Sequence, residues 1–146
     1  MKAPPRDRMM GWLARREYGF DELVERGMRD LELTRPQSEA VVQRLTDDGL
    51  QCDQRFVESL IRSRVRKGQG PLKIRADLQS KGISDPVIRD ALDAADVDWF
   101  ELARHRLERK FGHQPVDDEP KEQARRLRFL AALGYPQSMA YALIKD

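Results

Sequence analysis

Residues 62–84, RSRVRKGQGPLKIRADLQSKGIS, set seven cations and one acid around a turn with two glycines. Three kinds of chemistry could use such a segment. A glycine-rich turn can cradle a phosphate on its amides, a row of guanidiniums can grip a polyanion, and a helix face can carry cations for solubility alone. The cradle fails on spacing. A dinucleotide fingerprint would need a third glycine where Lys73 stands, no lysine-serine or lysine-threonine pair follows a glycine, and Pro71 removes a donor from the next helix start. KGQGP therefore reads as a tight interhelical turn, with Pro71 opening the following helix.

The charge around this turn is local. Residues 1–54 carry 9 cations and 11 acids, residues 82–146 carry 10 and 12, and residues 55–81 carry 8 cations against Glu58 and Asp77. A centre of +6 between flanks of −2 would attract a polyanion while limiting indiscriminate binding elsewhere. On a helical wheel Phe56, Val57, Leu60, Ile61 and Val65 share one side, and Arg55, Ser59, Arg62 and Arg66 form a narrow stripe opposite. Arg64 projects near the middle of the apolar side, where snorkelling at the helix end is favoured over crossing to a partner. After the turn, Ile74 and Leu78 face inward. The candidate binding residues are Arg55, Arg62, Arg66, Lys67, Lys73, Arg75 and Lys81. Their anion is left open, because an acidic protein groove and a phosphate backbone both suit arginine.

Other reactive groups do not assemble. His105 lies on a charged helix and His113 in a loop, without the partners that metal or acid–base work needs. Cys52 precedes Asp53, and a neighbouring acid raises a thiol pKa rather than activating it. Trp12, Trp99 and Phe100 stand at apolar helix positions. No catalytic residue, metal or cofactor is expected.

The elements that position the cations read as helices throughout. The first is expected over 7–18. The second starts near Asp21 as cap, with Val24 and Met28 facing inward. The third follows Thr34, with Gln37 completing a capping box, and buries Val41, Val42 and Leu45. Helix endings repeat one device: Leu45, Gly49 and Leu50; Leu78, Gly82 and Ile83; Leu130, Gly134 and Tyr135, each with a left-handed glycine. Asp85 and Pro86 open a helix striped by Val87, Ile88, Ala91, Leu92 and Ala95; another places Ala140, Leu143 and Ile144. Shifting the sequence by 50 lays Val24 on Ile74 and Met28 on Leu78, and shifting by 52 lays Leu78 on Leu130 and Gly82 on Gly134. A period near 50 predicts an all-α, elongated array of three tandem three-helix units, residues 7–52, 53–97 and 98–146, with helices at about 54–67 and 98–111 opening the second and third. GHQPVDDEP is the longest expected loop.

The totals agree with an array. At 146 residues, 36% charged and 7% aromatic, a single large core is less suited than several small ones. No apolar run reaches membrane-spanning length, and MKAPPRDRMM lacks the apolar stretch of a signal peptide. One cysteine cannot form an internal disulfide, which suits a cytoplasmic location.

FVESLIRSRVRKGQGPLKIRADLQSKGIS, continuing through DVDWFELARHRLERKFG, resembles the RecX family of bacterial regulators of the RecA recombinase. The shared pattern is an acid followed by RF (Asp53 to Phe56), KGxGPxxIxxxLxxKGI (Lys67 to Ile83) and RKFG (Arg109 to Gly112). The closing RFLAALGYPQSMAYALI is similar to the family's third-unit ending, and LARREYGFDELVERGM is similar more loosely. Family members often carry Tyr-Leu-Asp-Asp before RF, where this chain has LQCDQRF. The resemblance implies three tandem three-helix units, a non-enzymatic role, and binding along the groove of the RecA–single-stranded-DNA filament. It further implies inhibition of that filament's ATPase, strand exchange and coprotease activities. The expected partners are RecA and single-stranded DNA, met directly or within the filament, with the chain a monomer and no membrane involved. The alternatives are a helical protein acting on DNA directly and a helical scaffold whose basic face only solubilises.

Overall fold

The computed structural model describes residues 3–113 and 119–145, which hold nine α-helices and no strand. They are α1 (Pro5–Leu13), α2 (Phe20–Asp30), α3 (Arg35–Asp47), α4 (Asp53–Arg66), α5 (Pro71–Ser80), α6 (Asp85–Ala94), α7 (Trp99–Phe111), α8 (Pro120–Leu133) and α9 (Gln137–Lys145). Most of the GHQPVDDEP segment lies outside the described residues. The chain packs as two compact units, and the division falls inside α4, α5 and α6.

One unit holds the chain up to Ser59 together with Leu78–Ile88. Here α2 packs on α3, and α1 packs on both. Met9, Tyr18, Leu23, Val24, Val42 and Leu45 form its core. Gly27 permits the close approach of α2 and α3: a methyl group there would strike Ser38 Oγ and Met9 Cε. The buried Ser38 hydroxyl donates to Val24 O at 2.7 Å, so it costs the core no unpaired group. Thr34 caps α3 as expected, accepting from Gln37 N–H at 3.2 Å while Gln37 Oε1 accepts from Thr34 N–H at 2.9 Å. In the LQCD segment, buried Gln51 donates to Tyr18 O and to Asp53 Oδ1, and accepts from Thr46 Oγ1 at 2.6 Å. Asp53 Oδ1 also accepts Phe20 N–H at 2.8 Å, tying the start of α4 to the start of α2.

The other unit holds Leu60–Asp77 and the chain from Arg89 onward. Asp98 caps α7 by accepting Glu101 N–H at 3.1 Å. Ala103 and Leu107 of α7, Leu130 of α8, Tyr135, and Ala140 of α9 make its core, flanked by an edge-to-face pair of Phe111 and Phe129 at 5.4 Å.

The three expected glycine endings are present. Leu50 N–H reaches Leu45 O, Ile83 N–H reaches Leu78 O and Tyr135 N–H reaches Leu130 O, with Gly49, Gly82 and Gly134 at φ of 78°, 82° and 98°. Several local expectations are corrected. α1 stops at Leu13 rather than reaching residue 18, because the chain turns there and carries Tyr18 back into the core. Gly19, not Asp21, is the cap of α2, since the Glu22 side chain accepts the Gly19 N–H one turn back. Val87 and Ala95 are exposed, leaving Ile88 and Leu92 as the buried residues of the α6 stripe. Leu50 is exposed too, so the ending at Gly49 has its hydrogen bonds without much apolar contact.

Candidate functional site

The seven candidate cations divide between the units: Arg55 and Lys81 belong to the first, and Arg62, Arg66, Lys67, Lys73 and Arg75 to the second. Their surroundings differ as sharply. Arg55 Nε lies 3.1 Å from Glu17 Oε1, and its Nη2 donates to Gly49 O at 2.7 Å. Lys81 Nζ lies 2.7 Å from Glu22 Oε2, whose carboxylate also takes both terminal nitrogens of Arg16 at 3.1 Å. Burial alone would raise the Glu22 carboxyl; Arg16 and Lys81 outweigh it and hold the group below the ordinary glutamate value. Arg6, Arg26, Arg29 and Arg35 of the same unit also sit against acids.

In the second unit, Arg62, Arg66, Lys67, Lys73 and Arg75 are exposed, and none of their side chains has a hydrogen-bond or ion-pair partner among the described residues. Arg62 and Arg66 stand one turn apart on α4, Lys67 follows its last residue, and Lys73 and Arg75 sit on α5. By sequence this unit carries 16 cations and 12 acids, the first 11 and 13. Positive charge therefore exceeds negative in the second unit, and these five of its cations have no ion-pair partner among the described residues.

Arg64 corrects the expectation of snorkelling. Its Nε lies 3.2 Å from Asp77 Oδ2, so the half-buried guanidinium crosses to α5. The intervening turn brings Asp77 alongside, which a helical wheel of α4 alone could not reveal.

That turn has no free backbone N–H to cradle a phosphate. Gly68 has φ of 80°; its N–H reaches Val65 O and the Gln69 N–H reaches Arg64 O, making a fourth glycine ending. Gly70 N–H donates to Leu133 O at 2.7 Å, and Leu72 N–H donates to Gly134 O at 2.9 Å. The buried Tyr135 hydroxyl donates to Gly68 O at 2.8 Å. Burial pushes the Tyr135 phenol up to about 12, against the opposing pull of nearby Arg106. A methyl group on Gly70 would sit 2.5 Å from Gly134 O. KGQGP is thus a fastener: it locks the start of α5 onto the α8–α9 connection and fixes the backbone between Lys67 and Lys73.

Sequence reasoning missed Arg106. A methyl group on Gly68 would collide with Arg106 Cδ and Nε, so α7 delivers this arginine directly onto the turn, although the two are far apart in the chain. His105 and His113 are exposed, with His113 Nδ1 3.6 Å from Glu108. Cys52 is a half-buried free thiol.

The described residues define an all-helical protein of tandem helices, with one fastened interhelical turn and exposed cations on the helices that flank it. Family comparisons give it a place. The model of the second three-helix domain of RecX matches residues 53–92, and that of the third matches residues 96–144. A protein named regulatory protein RecX from Chromohalobacter salexigens is 40% identical over 138 residues, covering 92% of this chain and 86% of its own. One from Pseudomonas putida, of the same name, is 39% identical over 139 residues, covering 92% and 85%. A crystal structure of regulatory protein RecX superposes with a TM-score of 0.77 at 25% identity, covering 97% of this chain and 70% of that one. The crystal structure of RecX from Lactobacillus salivarius gives 0.74 at 22% identity, covering 97% and 92%, and so bears on the fold alone. The chain belongs to the RecX family.

Proposed function

We propose that this chain is a non-enzymatic regulator of the RecA recombinase. It binds the RecA–single-stranded-DNA filament and lowers its ATPase, strand exchange and coprotease activities, and it acts in the cytoplasm as a monomer. Family membership supports the regulatory role, and its relatives are named for it. The observation that carries the binding mode is the set of unpaired cations Arg62, Arg66, Lys67, Lys73 and Arg75 in a unit where positive charge exceeds negative. Arg55 and Lys81, which belong to the first unit, are kept as candidate binding residues that would have to exchange their internal partners for external ones. The three-helix units 7–52, 53–97 and 98–146 are kept as repeats, in line with the matched domains at 53–92 and 96–144. Among the described residues, no helix is long and apolar enough to cross a membrane.

To inhibit, the chain must bind a less active filament arrangement more tightly than the active one, for instance by bridging neighbouring protomers. The alternative route is faster loss of protomers or blocked growth. The test is RecA ATP hydrolysis on single-stranded DNA, titrated with this protein at low and high salt. Inhibition well below one chain per protomer, persisting at high salt, is expected. The triple variant Arg62→Glu/Arg66→Glu/Lys73→Glu should fold and lose filament binding; a folded variant that binds normally would discard this face. Inhibition only when the protein coats free DNA would favour a protein acting on DNA directly, the reading that the same unpaired cations support second.

A further inference from the structure

Arg106 of α7 adds to the cations beside the KGQGP turn without taking part in any salt bridge among the described residues. Its stem lies against Gly68, the residue after Lys67, and Gly68 in turn is held by the Tyr135 hydroxyl. No hydrogen bond or ion pair among the described residues reaches the guanidinium, and Nε is buried without an acceptor. The neighbouring Gln69 Oε1 is buried and unpartnered as well. A guanidinium partly out of water and without an ion-pair partner is unfavourable, and an anion accepting from its terminal N–H groups offsets that charge. Because stem and turn are both fixed, little side-chain freedom is lost when that acceptor arrives.

We propose that Arg106 is a further binding residue of the second unit, acting with Lys67 and Arg66 on the backbone phosphates of single-stranded DNA. This rests on the reading that the cationic face meets the filament, and it names the chemistry met there. A protein interface centres on apolar side chains with charge at the rim, and readers of bases offer aromatic platforms. Residues 60–77 hold no aromatic side chain, and Leu72 is the one large apolar group exposed among them. Cations without either feature suit a repeating phosphate.

Two variants separate charge from packing. Arg106→Met keeps an apolar stem against Gly68 and removes the guanidinium; Arg106→Ala removes both. Each is compared with wild type by thermal melting, by anisotropy with a labelled oligothymidine and an abasic strand of equal length across a salt series, and by inhibition of filament ATPase. Arg106→Met is expected to melt like wild type. It should weaken binding to both strands several-fold and make the slope of log K against log salt shallower by about 0.7, one phosphate contact on a single strand. Unchanged affinity and slope in Arg106→Met, with a lowered melting temperature in Arg106→Ala, would reduce Arg106 to packing and overturn the proposal. Weakened filament binding with unchanged binding to both free strands would make the ligand a protein carboxylate and overturn it too. If wild type itself fails to bind DNA and leaves the ATPase untouched, the reading of the whole cationic face falls, a result distinct from failure at Arg106 alone.

Discussion

At the scale of single residues, the same side-chain type does opposite work depending on whether an acid has been placed beside it. Arg16 and Lys81 close on one carboxylate, Glu22, and that cluster fastens the Lys81 end of α5 to the start of α2 within the first unit. Glu22 is held below its ordinary value of 4.5 despite burial, so the unfolded chain takes up its proton first as pH falls. The stability this group supplies is therefore complete above about 4.5, and it is lost as pH falls through the lower folded value. Glu22→Gln should cost about 1.5 kcal/mol at neutral pH, in the range for hydrogen bonds to charged groups. The gap from wild type should close as pH drops below the glutamate range. Urea melts of both proteins at neutral and acid pH check this; a gap that is constant with pH would show that the Glu22 charge contributes nothing. None of this was legible in sequence. Glu22 and Lys81 lie 59 positions apart, and Arg55 and Glu17 lie 38 apart, so a wheel drawn on α4 saw free cations where folding supplies partners.

At the scale of elements, local chemistry was the part that could be read. Leucine–glycine–apolar endings were recognisable because a left-handed residue and a backward hydrogen bond depend on a few adjacent positions. The Thr34 cap was readable for the same reason. The fourth ending, at Gly68, hid inside a glycine pair whose second member serves a different purpose, the approach to Gly134 O. The overlong first helix shows the limit: residues up to 18 keep helical composition, and only the pull of Tyr18 into the core ends α1 early. Gly82 gives the sharpest test of an element end. Its φ of 82° strains any residue with a Cβ, and that Cβ would also meet the Asp21 side chain. Gly82→Ala is expected to cost about 1 kcal/mol or more in denaturant melts. Since Asp21 is exposed and can swing aside, most of that cost is backbone strain, and Asp21→Ala should not rescue it. Full stability of Gly82→Ala would reject the ending.

At the scale of the whole molecule, a net charge of +2 hides an excess of two acids in one unit and of four cations in the other. Two explanations of polyanion binding follow, and they differ in what they count. If binding reflects total charge, any two cations exchanged for acids should weaken it alike, because each exchange moves the chain by four charges. If it reflects where unpaired cations stand, position decides. Arg15 and Arg44 of the first unit provide the control, being exposed and without ion-pair partners among the described residues, like Arg62 and Arg66 of the second. Arg15→Glu/Arg44→Glu should leave filament inhibition and its salt slope close to wild type. Arg62→Glu/Arg66→Glu should weaken inhibition at least about tenfold, since it removes two contacts and adds two repulsions to an anionic surface, with a loss that deepens at low salt where screening is weakest. The measurement is the concentration for half-inhibition of RecA ATP hydrolysis at two ionic strengths for the two double variants side by side. Equal losses would make net charge, not the second unit, the source of affinity, and the cationic face would lose its claim to be a site.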